Sequence, residues 1–507
     1  MAVNVGTGSR GACLATSRHD ARRAARTFAL AALPALVLAT TPALAYEERV
    51  HQLIGERALP ATMPRDLGRA TPIDVDELRS ATWRAGAAHP DPAVRERFVA
   101  RYPSERQFDA WAWKEFLGLT PEARVVGVDV LPDGPADARL LAAVSSRLPD
   151  DDERNVERFA HDPDRRVRRD PSGRPVPLDP AQLDMGALTG LSSQAWAHYG
   201  LPKVEFSDSP DVLKADPRRW AYPPTAKAFA PEMAQVHTDV ALAAATAGTS
   251  GGRALAYVWL GAAHHYVEDV ANQVHTLQAV YPFFVDAKIE SWKENLLSLW
   301  GWLRPRPAFE EIGLGIIKNH HLFLEDLWGA RVFEAADGKA AAPGAVAGLS
   351  ALAAGDAEEE AALDALRLDP AGPFARTLTE QLIEASSREG GDVYLAARDI
   401  ARPRLSKAGY VYEAGTADAE VRPSPDAARL ARFYELEGKG FARAASGVRR
   451  HVRLFDEEVA RAGRSEADRL AVREAVLRRL VADRMAARDA GDGRLAAWLA
   501  AKGIVAR

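Results

Sequence analysis

Residues 251–270, GGRALAYVWLGAAHHYVEDV, place apolar side chains three and four residues apart. The segments DARLLAAVSSRL (137–148) and PEMAQVHTDVALAAATA (231–247) do the same. That is the period of a helix with a buried face, and no run in the chain sustains the alternation that a half-buried strand requires. The pattern predicts an all-α fold. Composition agrees, because Ala, Arg and Leu are used heavily while aromatic residues make up 7%, a balance that favours helix over sheet. Gly251-Gly252 marks the break between the last two segments.

At 507 residues the chain is too long for one ordinary domain, and two or three are expected. Residues 1–45 read as a signal peptide. Arg22, Arg23 and Arg26 form a basic region, FALAALPALVLATTPALA follows, and Ala43-Leu44-Ala45 is a small-residue cleavage signal. Pro34 and Pro42 interrupt the apolar stretch, which argues for a cleaved leader over a retained membrane helix. The expectation is an exported protein, periplasmic or extracellular, that begins at Tyr46. The single cysteine, Cys13, leaves with the leader, so the stability of the exported chain must come from core burial or bound metal rather than disulfides. Net charge is −5, which argues against broad electrostatic binding to nucleic acid.

Residues 46–334 are expected to form the principal helical domain. The stretch 162–182, rich in Pro, Arg and Asp, reads as a long loop. Residues 335–360, AADGKAAAPGAVAGLSALAAGDAEEE, read as a low-complexity linker. Residues 361–507 read as a helical C-terminal region with charged faces and an apolar stripe, packed as an accessory domain of unknown role.

Three segments carry candidate chemistry. In HHYVEDVANQVH, 264–275, His265 and Asp269 stand four apart. At about 100° per residue they differ by about 40° around a helix, so both side chains reach one point. An imidazole and a carboxylate on one face form half of a first-row metal site. His275 lies nearly a quarter-turn off that face and needs either a second metal or a helix break to join it. In LPDDDERNVERFAHDPD, 148–164, three consecutive carboxylates precede His161; the alternative is a solvated acidic loop. In YEERVHQLIGERAL, cleavage frees the amine of Tyr46, and His51 follows five residues on. A free α-amine with a pKa of about 8 is a competent metal ligand near neutral pH. His89, His198, His237 and His451 read as surface or packed histidines, and His264 as a neighbour supporting the ligands.

Together these segments resemble the zinc-dependent phospholipase C and single-strand nuclease superfamily, which includes the clostridial alpha-toxin. The family's core motif, H-Y-x-x-D-x-x-x-P-x-H, is matched by His265-Tyr266, Asp269 and His275. Its upstream acidic motif and H-F-x-D-P-D are matched by Pro149-Asp150-Asp151-Asp152 and His161-Asp162-Pro163-Asp164. Its aromatic mature N-terminus with a nearby His is matched by Tyr46 and His51. The likeness covers about 46–300, roughly half the chain.

The resemblance implies an all-α fold holding up to three zinc ions. One zinc would take His161, His265, Asp269 and an aspartate of the 150–152 run, with Asp151 placed there and Asp152 and Asp150 as register alternatives. A second would take His275 and the family's H-x-x-x-E pair. Here that pair is Asp286 and Glu290, with Asp in place of His, an oxygen-rich set that also suits Mn or Mg. His321 and Glu325 are the alternative pair. The third zinc would take the amine and carbonyl of Tyr46 with His51, bridged by Asp269. Gln273 stands where the family has Pro, which weakens the expectation of a helix break before His275. The implied chemistry is hydrolysis of a phosphodiester by metal-activated water, with Asp151 taking the water proton. The expected substrate is a phospholipid headgroup, met through peripheral membrane contact and without a stable nucleic-acid partner. A single-strand nuclease is the second reading. A catalytically degraded member acting in binding or at the envelope is the third.

Overall fold

The structure, a computed structural model, describes residues 46–119, 123–126, 136–150, 168–169, 175–176, 198, 200, 229–276, 324–389 apart from 326 and 340, 392–393 and 427–501. The signal-peptide assignment therefore lies outside the described residues. Within them the architecture is all-α, as the periodicity predicts. The extended pairing is slight. Arg168–Arg169 lies antiparallel to Pro175–Val176 within the stretch read as a loop, and an isolated bridge joins Leu67 to Ala136.

The N-terminal part contributes α1 (Tyr46–Ala58), α2 (Pro72–Ala87), α3 (Pro92–Arg101), α4 (Ala110–Leu117) and α5 (Ala138–Ser145). Their starts follow from capping chemistry. The side chain of Asp91 accepts from the Ala93 N–H, that of Asp109 from Ala112, and that of Asp137 from Arg139 and Leu140, each satisfying a donor that a helix start leaves unpaired. Phe98, Tyr102, Phe108 and Phe116 pack mostly edge-to-face, with ring centroids 4.8–6.0 Å apart, the geometry that aromatic quadrupoles favour.

The centre is a pair of helices, α6 (Ala230–Ala245) and α7 (Ser250–Ala271). Thr249 caps α7 by accepting from the Gly252 N–H at 2.9 Å. Nearly every residue of α7 from Gly251 to Ala271 is buried, because α6, α5 and two later helices enclose it on all sides. Its first four turns are apolar nearly all round, the pattern of a helix buried in a core, and its last turns carry the polar side chains His264, His265, Glu268 and Asp269 into the interior. Among the described residues, no helix is long and apolar enough to cross a membrane.

The C-terminal part contributes α8 (Pro343–Ala354), α9 (Ala357–Asp364), α10 (Phe374–Ser387), α11 (Ala427–Ala462) and α12 (Glu466–Ala501). Here the structure departs from the sequence reading. Residues 335–360 are not an unstructured linker, because α8 and the start of α9 fill them and pack on α11. The small residues that resemble low complexity are what let the backbones touch. A Cβ on Gly438 would meet the Gly344 carbonyl oxygen at 2.8 Å, and one on Gly348 would meet the Cα of Gly438 at 3.1 Å. Arg449 ties the group together, donating to Glu360 at 2.7 Å and to the Leu352 carbonyl at 3.0 Å. Nor do residues 361–507 stand apart. Tyr46–Arg507 form one compact unit, with α10 and α11 against α7, and α12 against α6, α2 and α3. Arginines of α12 join them: the guanidinium of Arg479 pairs with the buried Asp239 at 2.5 Å, and that of Arg484 donates to the Phe116 carbonyl at 2.9 Å.

Candidate metal centre

Three helix backbones meet where the chemistry gathers. Gly55 of α1 lets that helix lie against Ala143 of α5, and Gly261 of α7 lets α7 lie against Ala142 on the same short helix. This contact brings His51 on α1, Asp150 just beyond α5, and His265 and Asp269 on α7 to one buried point. His275 joins them because α7 breaks after Ala271. Asn272 turns to φ −83°, ψ 132°, and its side chain accepts from the Val274 N–H, starting a 3-10 turn over Gln273–His275. Gln273, in the place where proline was expected, is itself buried. Its amide donates to Glu389 at 2.6 Å and to the Leu436 carbonyl at 3.2 Å, so tertiary contacts hold the break that proline would have imposed locally.

The geometry centres on Asp269. Its Oδ2 lies 3.0 Å from His198 Nδ1 and 3.2 Å from His265 Nε2. Its Oδ1 lies 3.4 Å from His51 Nε2 and 3.5 Å from His275 Nε2. Asp150 Oδ1 closes the first set, 3.5 Å from His265 and 3.8 Å from His198. Glu325 Oε1 closes the second, 2.6 Å from His275 Nε2. The tautomer of His265 is set by its Nδ1–H donating to the Ser146 carbonyl at 2.7 Å, which turns the Nε2 lone pair toward the carboxylates. Tetrahedral ligands about 2.0–2.2 Å from a zinc ion stand about 3.3 Å from one another. Most of the separations around Asp269 fall close to that value. Asp150 Oδ2 is buried and accepts no hydrogen bond, which is costly unless a cation or water completes it. Two groups, His51–His265–Asp269 and Asp150–His198–His265, can each hold a metal ion.

The electrostatics fit a site whose cations are replaced by protons. Burial opposes ionisation of Asp269, but His265 and His275 outweigh it and hold its carboxyl well below the usual range. Asp150 is held low in the same way, by His265, His51 and His198. His265 is pushed down by burial. His51 rises well above the ordinary histidine value because hydrogen bonds to Asp269 and Glu268 overcome burial. His275 rises because Asp269 and Glu325 do the same. Burial pushes Glu268 up to about 7.

A pH dependence follows. A histidine raised in the folded state contributes stability that is complete below its unfolded value of about 6.5 and is lost as pH climbs through the folded value. A raised carboxylic acid acts in the same direction. Buried His237, His264, His265 and His451 are pushed down and act in the opposite direction up to about pH 6.5, so it is from about pH 7 to 9 that chelator-treated protein should melt at lower temperature as pH rises. Zinc displaces those protons, so the gap between loaded and chelated melting temperatures should widen over the same interval. Melting curves with and without zinc would check this. A gap that narrows with pH would contradict it.

His51, His265, Asp269 and His275 are thus brought together. Tyr46 opens α1, on which His51 lies. Asp151, His161, Asp286, Glu290 and His321 lie outside the described residues. Asp150, carried as a register alternative to Asp151, turns its carboxylate to the cluster. Glu325, from the alternative pair, meets His275. His198 is a correction. Read as a surface or packed histidine, it is buried within the cluster, with its Nδ1 2.7 Å from His265 Nε2. It stands alone in SQAWAHYG, with no partner at ligand spacing to reveal it. Glu268 was also missed, hidden beside the more obvious Asp269. Among the described residues His264 makes no hydrogen bond to the ligands. It faces the ring of His451 at 5.2 Å between centroids. His237 and His451 are packed histidines, the first bonded to the Met233 carbonyl and the second to Thr238. His89 is buried and accepts from the Asp91 N–H.

A cavity opens beside the centre. His51, Asp269, His275 and Glu325 form its polar side, and Val50, Ile54, Trp328, Phe441 and Ala444 its apolar side. Trp328 meets Phe441 edge-on at 5.0 Å. Two of these residues come from α11, so the C-terminal region forms part of the wall of the pocket. Comparison of the chain with known protein families, with curated proteins and with solved structures finds no match.

Proposed function

We propose that this chain is an exported, zinc-dependent phosphodiester hydrolase whose substrates are phospholipid headgroups. The observation that carries the reading is the division of Asp269, whose Oδ2 faces His198 and His265 while its Oδ1 faces His51 and His275. A carboxylate shared in this way suits a pair of close divalent ions, which together lower the pKa of a bound water toward 7 and neutralise phosphoryl oxygens. His198, His265 and Asp150 would hold one ion and His51, His275 and Glu325 the other, with Asp269 common to both. Tyr46 remains the proposed chelator of a third ion.

Asp150 is the proposed acceptor of the water proton, since its Oδ2 is buried at the centre and otherwise unbonded. The burial of the ligands keeps bulk water from competing for the phosphoryl group. The apolar side of the cavity supports a substrate with a hydrocarbon part next to its phosphodiester, and hence contact with a membrane surface. A single-strand nuclease is the second reading, favoured by the aromatic edge of Trp328 and Phe441, on which a base could stack.

The test uses zinc-loaded protein spanning 46–507. It would be given para-nitrophenylphosphorylcholine, phosphatidylcholine vesicles and single-stranded DNA. Release of phosphocholine from vesicles, with little nucleotide release, is the expected result. Cleavage of DNA alone would move the chain to the nuclease reading. Retained metal with no turnover of any of the three would overturn the hydrolase reading.

A further inference from the structure

We propose that Glu268 is a positioning residue that fixes the ligand nitrogen of His51 and so sets the affinity of one metal position selectively. This rests on the metal-binding reading and is independent of the substrate. Glu268 follows α7 round by about 100° from Asp269, which turns it from the ion-facing side toward α1. Its side chain is fully buried, and its Oε2 lies 2.7 Å from His51 Nδ1. Its Oε1 has no hydrogen-bond partner. A carboxylate is costly to bury, and among the described residues the one hydrogen bond of this side chain goes to an imidazole that faces two further carboxylates.

The consequence is a defined tautomer. With the proton of His51 on Nδ1 and donated to Glu268, the lone pair sits on Nε2. That atom lies 3.4 Å from Asp269 Oδ1 and 3.8 Å from Asp150 Oδ2. A carboxylate behind an imidazole also strengthens it as a donor. The two rings of the centre that lie closest, His51 and His265 at 4.1 Å between centroids, are therefore backed differently. His265 leans on the neutral carbonyl of Ser146 and His51 on a carboxylate. The position served by His51 and His275 should depend on Glu268, and the position served by His198 and His265 should not.

The experiment titrates zinc against a chromophoric chelator in wild type, Glu268→Gln and Glu268→Leu, with melting curves of the metal-free proteins alongside. Glu268→Leu should weaken one zinc position by about 10–100-fold and leave the other within about 3-fold, well below that range. Glu268→Gln, whose carbonyl can still accept from Nδ1–H, should recover most of the loss. Equal weakening of both positions, matched by a lower melting temperature without metal, would assign Glu268 a merely structural role and overturn the proposal. So would unchanged affinities. If wild type itself binds no zinc, the metal-site reading fails, and the proposal fails with it for a separately visible reason.

Discussion

Replacing Asp269 with Asn is expected to strip the centre of metal at both positions and to abolish hydrolysis, while leaving the chain folded. The asymmetry of the change is what makes it informative. Asn has nearly the same shape, and residue 269 lies in the buried last turn of α7, so packing is preserved. What is lost is the charge that both ligand sets share. Asp269 stands within 3.5 Å of four imidazole nitrogens, and no other carboxylate among the described residues reaches all four. Removing a partner that only supports a ligand costs about 10–100-fold in affinity. Loss of a shared ligand should exceed about 100-fold at each position. Zinc titration and a melting curve on the same sample would check this. Retention of both ions by the folded variant would contradict the geometry of the centre.

The second large effect is expected from Gly261→Val. A Cβ at position 261 would lie 2.2 Å from the carbonyl oxygen of Ala142 and 2.8 Å from its Cα. These are backbone atoms of α5, which cannot swing aside as a side chain can. On its other side α5 is already in contact with Gly55 of α1, where an added Cβ would come 2.8 Å from the Cα of Ala143. α5 is therefore held between two helices and cannot retreat. Overpacking of this kind costs about 3 kcal/mol, at the upper end of the usual range. The displaced helices carry His51, His265 and Asp269, with Asp150 just beyond α5, so metal retention should fall together with stability. A urea midpoint as high as that of wild type would show that the helices do not cross this closely.

The contrast between these two sites also explains what could be read from the chain. The helices α5, α6 and α7 are legible because each has its own apolar period, and His265 with Asp269 is legible because four residues on a helix is a local distance. His198 is not. It reaches the centre by a route through residues that carry no spacing signal, and only the tertiary fold brings it within 2.7 Å of His265. The break after Ala271 is hidden for a related reason, since Gln273 is held by Glu389 and by α11 rather than by its own backbone preference. The Ala- and Gly-rich stretch 335–360 was misread because small residues serve equally well in a loose linker and in a close helix crossing. That Asp150 turns to the cluster depends on the geometry beyond α5, which a run of three identical residues does not disclose.

The central claim is that the cluster around Asp269 is a metal centre and not a polar pocket neutralised by protons. Elemental mass spectrometry of the chain spanning 46–507, purified without chelator and dialysed against metal-free buffer, tests it most directly. About two to three divalent ions per chain, mainly zinc, are expected, two from the ligands around Asp269 and a third where Tyr46 completes its site. No ion above the buffer blank, before or after incubation with zinc at neutral pH, would contradict the account.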